Sequence, residues 1–114
     1  MIAIIFELTP APGRKQEYLD LAAGLGELVK DFDGFISIER FESITNPGCF
    51  VSISWWRDEE AVRRWRNVQK HREAQGKGRA GIFTKYRLRV AQQIRDYTHD
   101  SRGEAPADSR GVHG

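Results

Sequence analysis

The sequence is poor in cysteine, because Cys49 is the only one among its 114 residues. A single thiol cannot close an intramolecular disulfide, and it cannot supply the ligands of a cysteine-based zinc site. The histidines and acidic residues show no metal-ligand spacing either, so the sequence predicts no metal site. Low cysteine content is typical of proteins from a reducing compartment, and we expect a cytoplasmic location.

Long hydrophobic runs are missing as well. The apolar N-terminal stretch MIAIIFELTP is far shorter than the roughly 20 apolar residues of a membrane span. It has no basic region before it and no small-residue cleavage site after it, so it does not resemble a signal peptide. We therefore expect no membrane segment and interpret this stretch as a strand.

Charge of neither sign dominates, since 18 Lys and Arg oppose 16 Asp and Glu for a net charge of +2. The basic residues are nevertheless concentrated between Arg63 and Arg95, where Glu73 is the one acidic residue. Such a segment either attracts an anionic ligand or nucleic acid, or forms a solvated helix face with strand cations paired to carboxylates. The third predicted strand, PGCFVSI, lacks the leading basic residue and paired aromatics of RNA-recognition domains. We expect no nucleic-acid partner.

The apolar residues that are present alternate between strand and helix periodicities. Strands are predicted at Ile2–Leu8, Phe35–Glu42, Phe50–Trp56 and Ile82–Tyr97, the last interrupted near Gln92; one helix is predicted around Tyr18 to Phe32, and a second after a cap at Asp58. Gly24 and Gly26 lie inside the first helix, and we interpret them as points of close approach to the sheet.

The order β-α-β-β-α-β predicts an α+β, ferredoxin-like fold with an antiparallel sheet. The length suits one domain, which we place at residues 1–98, followed by a polar, flexible C-terminal tail at residues 99–114. This fold carries both helices on one face of the sheet and leaves the other face bare. We expect a second copy to cover that face in a homodimer.

Three segments resemble the antibiotic biosynthesis monooxygenase family: SISWWRDEEAVRRW, HREAQGKGR and IFTKYRLRVAQQIRDY. The resemblance covers residues 2 to 97 and leaves only the tail outside. It implies a dimeric α/β barrel with a ligand cavity between helices and sheet in each subunit. The family includes cofactor-independent oxygenases, haem-degrading enzymes and proteins without known activity, so the resemblance alone does not define a reaction.

The resemblance implies that Trp65 lines the cavity, where an indole stacks on a flat substrate; the alternative is a core aromatic that anchors the second helix. His71 falls where a related oxygenase is thought to use a tyrosine. An imidazole suits the proton acceptor that a cofactor-independent oxygenation needs, and the alternative is a surface histidine. We predict Trp65 and His71 as the catalytic pair.

Glu7, Trp56, Arg87 and Arg89 are predicted to bind substrate. The two arginines share one face of the last strand, where they either hold an anionic group in the cavity or form ion pairs at a dimer interface. Glu7 either has a raised pKa against an apolar cavity wall or pairs with an arginine.

The sequence thus predicts a monooxygenase that acts on a small flat aromatic or quinol substrate without a cofactor. The haem-degrading branch carries an asparagine near the place of Glu7 and a histidine near the place of Gln75, and both departures count against haem degradation. Two alternatives stay open: a dimeric barrel that binds haem or another hydrophobic ligand without oxygenase activity, and a structural or regulatory dimer.

Overall fold

The computed structural model describes residues 1–75 and 81–108, with the side chains of residues 70–75 outside that description. Its elements are β1 (Ile2–Pro10), α1 (Lys15–Val29), β2 (Phe35–Glu42), β3 (Phe50–Trp56), α2 (Glu59–Gln75) and β4 (Phe83–Gln92). The four strands form one antiparallel sheet in the order β2-β3-β1-β4. The predicted β-α-β-β-α-β order and the ferredoxin-like fold class are confirmed.

Local chemistry explains where these elements begin and end. The backbone N–H of Ala61 donates to Asp58 Oδ1 at 2.8 Å, so Asp58 is the predicted cap of α2. Gly34 precedes β2 with a φ of +92°, a backbone conformation that residues other than glycine rarely adopt. Strand β4 ends at Gln92, the position of the predicted interruption, and does not continue to Tyr97.

The interpretation of the helix α1 glycines was wrong. A Cβ added at Gly24 or Gly26 would meet no heavy atom within 4 Å. Neither glycine therefore owes its place in the helix to close contact with the sheet.

Both helices pack on one face of the sheet, and the core beneath them consists of two hydrophobic clusters. The first contains Leu8, Tyr18, Ala22, Phe50 and Ile82. The second contains Val29, Trp56, Ala61, Val62 and Trp65. Helix α1 contributes to both clusters, whereas α2 contributes only to the second.

Strand alternation assigns the remaining side chains to the opposite face. On β1, Ile4, Phe6 and Leu8 pack against the two clusters, so Ala3, Ile5 and Glu7 point the other way. Residues 51, 53 and 55 of β3 lie beside them in register. We call this surface the bare face, because both helices lie on the other side.

Strand β4 is an edge strand with little cover on either side. All of its residues after Phe83 are exposed. Tyr86 and Leu88 point toward the helix side in register with Leu8 and Phe6, yet they are 68% and 53% exposed. The helices therefore do not extend over this strand.

The described part of the C-terminal segment contains one buried residue, Ala105. The Arg102 guanidinium lies 5.1 Å from the centre of the Tyr97 ring. The domain boundary after residue 98 and the flexibility of the tail stay predictions. Neither helix, within the described residues, combines the length and apolar character needed to cross a bilayer.

Candidate functional site

A cavity of about 150 Å³ lies between the helices and the sheet, at the junction of the two hydrophobic clusters. Its walls include Tyr18 and Ala22 from the first cluster and Trp56 and Trp65 from the second. Apolar cavities of this size accommodate about one benzene ring. The space therefore fits one ring or a short aliphatic body, and it is smaller than the roughly 300–1,000 Å³ of a site for a drug-sized ligand.

Short side chains on β3 and α1 create this space. Ser52 and Ser54 point toward the helices between Phe50 and Trp56, and Ala22 faces them from α1. Ser54 is buried, and its Oγ accepts a hydrogen bond from Trp56 Nε1 at 2.9 Å. That bond satisfies the indole N–H and fixes the orientation of the Trp56 ring.

Three polar side chains from three elements meet at one end of the cavity. Arg40 on β2 is directly opposite Ser52 on β3, and Tyr18 lies above them on α1. Burial raises the pKa of the Tyr18 hydroxyl, and the charge and hydrogen bonding of the nearby Arg40 guanidinium offset part of that rise. The Tyr18 hydroxyl is therefore neutral near pH 7 and serves as a hydrogen-bond donor.

Aromatic rings form the other end. The Trp56 and Trp65 ring centres are 6.3 Å apart, and Phe32 packs edge-on against both indoles. Trp65 is only 8% exposed and belongs to the second cluster. Both proposed roles of Trp65 are thus compatible with its position, since one ring anchors α2 and also lines the cavity.

Three residues predicted to bind substrate do not line this cavity. Glu7, Arg87 and Arg89 lie on the bare face, because they alternate with Phe6 and Leu88, which point toward the helices. Arg89 Nη1 donates to Glu7 Oε1 at 2.7 Å, across two half-exposed side chains. This ion pair is the alternative interpretation of Glu7, and the interface ion pairs considered for the two arginines stay a prediction.

Of the remaining predicted residues, Trp56 and Trp65 are brought together and His71 is not placed. The backbone of His71 belongs to α2, but its side chain lies outside the described residues.

Sequence reasoning missed Tyr18, Arg40 and Ser52. For Arg40 and Ser52 the sequence did contain a signal, because each is a polar residue at a strand position that faces the helices. Arg40 follows Ile38 on that face of β2, and Ser52 follows Phe50 on that face of β3.

Haem does not fit the described part of the cavity. About 150 Å³ is too small for a porphyrin, and the described lining residues include no histidine or cysteine to ligate iron. No group of three or more His, Cys, Asp or Glu within the described residues has the geometry of a metal site. Tyr18, Arg40, Ser52, Ser54 and the two indoles are the polar and aromatic groups that the described lining offers to a bound molecule.

Comparisons with known proteins agree with this architecture. The chain is 44% identical over 92 residues to "Jasmonate monooxygenase ABM" of Pyricularia oryzae, matching 81% of this chain but only 43% of that protein. The chain thus spans less than half the length of this relative.

Solved structures with the same fold are much more distant in sequence. The haem-degrader MhuD of Mycobacterium tuberculosis, solved with two haems bound in its active site, superposes with a TM-score of 0.69 at 16% identity, over 86% of this chain and all of that one. A variant of SnoaB, a cofactor-independent oxygenase from Streptomyces nogalater, superposes with a TM-score of 0.67 at 14% identity, over 83% of this chain and 94% of that one.

These likenesses show the fold, and the sequence match shows the family. The family model for antibiotic biosynthesis monooxygenase matches residues 1–77, from β1 through α2. That range includes Tyr18, Arg40, Trp56 and Trp65, the residues that shape the cavity. The chain belongs to the antibiotic biosynthesis monooxygenase family.

Proposed function

We propose that this protein is a monooxygenase that acts on one small, mainly apolar molecule bound in the cavity between helices and sheet. The observation that carries the proposal is the composition of that cavity, in which two neighbouring indoles form one end and Arg40 with Tyr18 forms the other. Family membership and the monooxygenase name of the Pyricularia relative support the reaction class.

The chemistry that needs no cofactor has a defined electron balance. A substrate methylene that becomes a carbonyl supplies four electrons to O₂, so that one oxygen atom enters the product and the other leaves as water. The first step is removal of a proton, because the substrate anion passes an electron to oxygen more readily than the neutral molecule. We assign the proton acceptor to His71 and substrate positioning to Trp65 and Trp56. Tyr18, whose pKa burial raises, is suited to donate a hydrogen bond to a substrate oxygen.

Oxygen uptake tests the proposal and its location together. Substrates to be screened are quinols and phenols with a single ring, together with jasmonate with and without a reduced nicotinamide, because hydroxylation of a C–H bond consumes two further electrons. We expect turnover with at least one of them. Leu25→Trp, which fills the cavity from α1, should lower that turnover at least about tenfold through overpacking of the substrate space.

The matched control is Leu28→Trp, because Leu28 is an exposed residue of the same helix and does not line the cavity. It should retain wild-type turnover. Equal activity of both variants would place the reaction outside the cavity.

In the same assay the turnover of His71→Ala should be lower by about a hundredfold or more if the imidazole accepts the proton. Unchanged turnover would remove His71 from the mechanism.

A second candidate is ligand binding without turnover. The described cavity lining can contact a bound molecule on several sides, but it contains no carboxylate and no imidazole that would act as a general base. Tight binding of a hydrophobic ligand with no oxygen uptake would favour this candidate. A Soret band on addition of haem would identify haem as the ligand and would require the cavity to open.

We further propose that the chain forms a homodimer through the bare face. The surface combines apolar residues of β1 and β3 with the Glu7–Arg89 ion pair, a mixture typical of a subunit interface. The exposed edge strand β4 lies beside it, and unprotected edges of this length are usually covered.

A further inference from the structure

Arg40 is the only charged side chain among the described residues that line the cavity. It follows Ile38 on the face of β2 that is turned to the helices, and it lies opposite Ser52 of β3. A charged group beside apolar walls costs free energy unless something compensates it. A half-buried cation in the wall of an apolar cavity is therefore a candidate group for binding an anionic ligand.

No carboxylate of the described residues supplies that compensation. Among the side chains that the structure describes, none forms an ion pair with Arg40. Glu42, the next residue along the same face of β2, accepts a hydrogen bond from the backbone N–H of Gly48 at 3.2 Å. Glu39 alternates with Arg40 and points to the bare face. The positive charge of Arg40 is thus available to a ligand in the cavity.

Two neutral donors converge on the same end. The Tyr18 hydroxyl lies next to the Arg40 guanidinium, and Ser52 stands directly opposite Arg40 in the sheet. A guanidinium and two hydroxyl groups match the acceptor-only pattern of a carboxylate. The remaining lining is apolar and aromatic, which suits the body of the same molecule.

We propose that the cavity is a binding site for small organic acids, in which Arg40 binds the carboxylate, Tyr18 and Ser52 donate hydrogen bonds to it, and the apolar body lies toward Trp56 and Trp65. The inference rests on the proposed function, because it takes the cavity as the substrate site. It adds the chemical class of the substrate and fixes its orientation. One carboxylate and about one ring fill the 150 Å³.

The test is calorimetric titration of the full chain with phenylacetate and with phenylacetamide, which share shape but differ in charge. A hydrogen-bonded charge is worth about a ten- to hundredfold difference in affinity. We expect the wild-type protein to prefer the acid by at least about tenfold. Arg40→Met, which keeps an apolar stem, should remove the preference while retaining affinity for the amide.

Two further variants make the result specific. Arg40→Lys keeps the charge but not the planar fork, so it should retain part of the preference and also serves if Arg40→Met fails to fold. Arg87→Met removes a positive charge from the bare face and should leave both affinities unchanged. Equal affinity of wild-type protein for the two ligands, or a preference that survives Arg40→Met, would overturn the inference.

Failure of this inference can be distinguished from failure of the proposed function. If the amide binds as well as the acid and neutral quinols are oxidised, the monooxygenase proposal stands and the acid specificity does not. If neither ligand binds, or Leu25→Trp leaves binding intact, the cavity is not the substrate site and the acid-binding inference fails with it. Oxygen uptake, measured separately, then decides whether the protein is an oxygenase at another site.

Discussion

Asp58 connects the end of β3 to the start of α2 through two contacts. It accepts hydrogen bonds from the Ala61 backbone at 2.8 Å and from Arg57 Nε at 3.1 Å. Both donors hold its pKa below the ordinary value of 3.8, the backbone bond having the larger effect. Arg57 also binds Asp33 at 3.0 Å, so the same guanidinium ties the α1–β2 turn to this junction.

Substitutions at Asp58 separate its two roles. Asp58→Ala should lower the melting temperature at about pH 7 by a few degrees, because the cap of α2 is lost. Asp58→Asn should have a melting temperature close to that of the wild-type protein, because an amide oxygen can also cap the helix. The amide, unlike the carboxyl group, cannot ionise. The measurement is thermal unfolding followed by circular dichroism.

The pH dependence has a definite sign. A carboxyl whose folded pKa is depressed stabilises the protein above its unfolded pKa, and this contribution is lost as the pH falls through the lower folded pKa. Wild-type protein should therefore lose stability below about pH 4, and Asp58→Asn should lose less of it. Solvent screening keeps the effect small. Identical acid profiles would show that the charge of Asp58 contributes nothing.

At the scale of elements, helix α1 carries two glycines whose conformation needs no glycine. Gly24 lies in the helix interior, is exposed, and has open space where a Cβ would be. Gly34, just before β2, has a φ of +92°, and a Cβ there would collide with the Ala61 side chain. Gly24 and Gly34 therefore form a matched pair for the same substitution.

Gly24→Ala should raise the free energy of unfolding by about 0.5–1 kcal/mol, because alanine restricts the unfolded chain and favours the helix. Gly34→Ala should lower it by more than about 1 kcal/mol, through backbone strain and the collision with Ala61. Urea denaturation at one temperature measures both. Destabilisation by Gly24→Ala would mean that α1 makes a contact at Gly24 which the packing of the chain does not display.

The elements were more predictable from the sequence than the site. Strands β2 and β3 have the predicted bounds because Gly34, Pro47 and Gly48 punctuate clear strand patterns. The face of each strand is a different matter, since it depends on register with a neighbour. The sequence left Arg87 and Arg89 either in the cavity or at a dimer interface, and only the pairing of Phe6 with Leu88 turns them to the bare face.

The same reason explains why Arg40 was overlooked. In FISIERFE, a charged residue inside an alternating strand is ordinarily taken as solvent-facing. Only the pairing of β2 with β3, which includes an irregularity between Phe35 and Ser37, turns Arg40 toward the helices. Trp65, in contrast, was identifiable, because helical spacing alone directs it to the core.

The whole molecule is more extended than its length requires. Its radius of gyration is 16.8 Å, with principal extents of 54, 34 and 20 Å, whereas a compact chain of this length has about 13 Å. The open side of the sheet and the uncovered strand β4 are consistent with a subunit whose surface is completed by a second copy.

If the bare face forms the proposed dimer interface, a charge placed on it should dissociate the two subunits. We expect wild-type protein to sediment with twice the chain mass of 13.0 kDa, and Ile53→Asp, at the centre of β3, to sediment as the monomer. Leu28→Asp is the control, because Leu28 is an exposed apolar residue on the helix side. A monomeric wild-type protein would refute the proposed interface.

Because the cavity lies at the junction of the two hydrophobic clusters, a molecule bound in it should raise the melting temperature of the protein. A molecule that fills the space contacts Tyr18 and Ala22 on one side and Trp56 and Trp65 on the other, contacts that the unfolded chain cannot offer. Selective binding to the folded state adds about 2.7 kcal/mol when the ligand is present at 100 times its Kd. Compounds from a metabolite collection that delay unfolding on heating are therefore candidate ligands of the cavity, and the proposed oxygenase activity can be assayed with each of them.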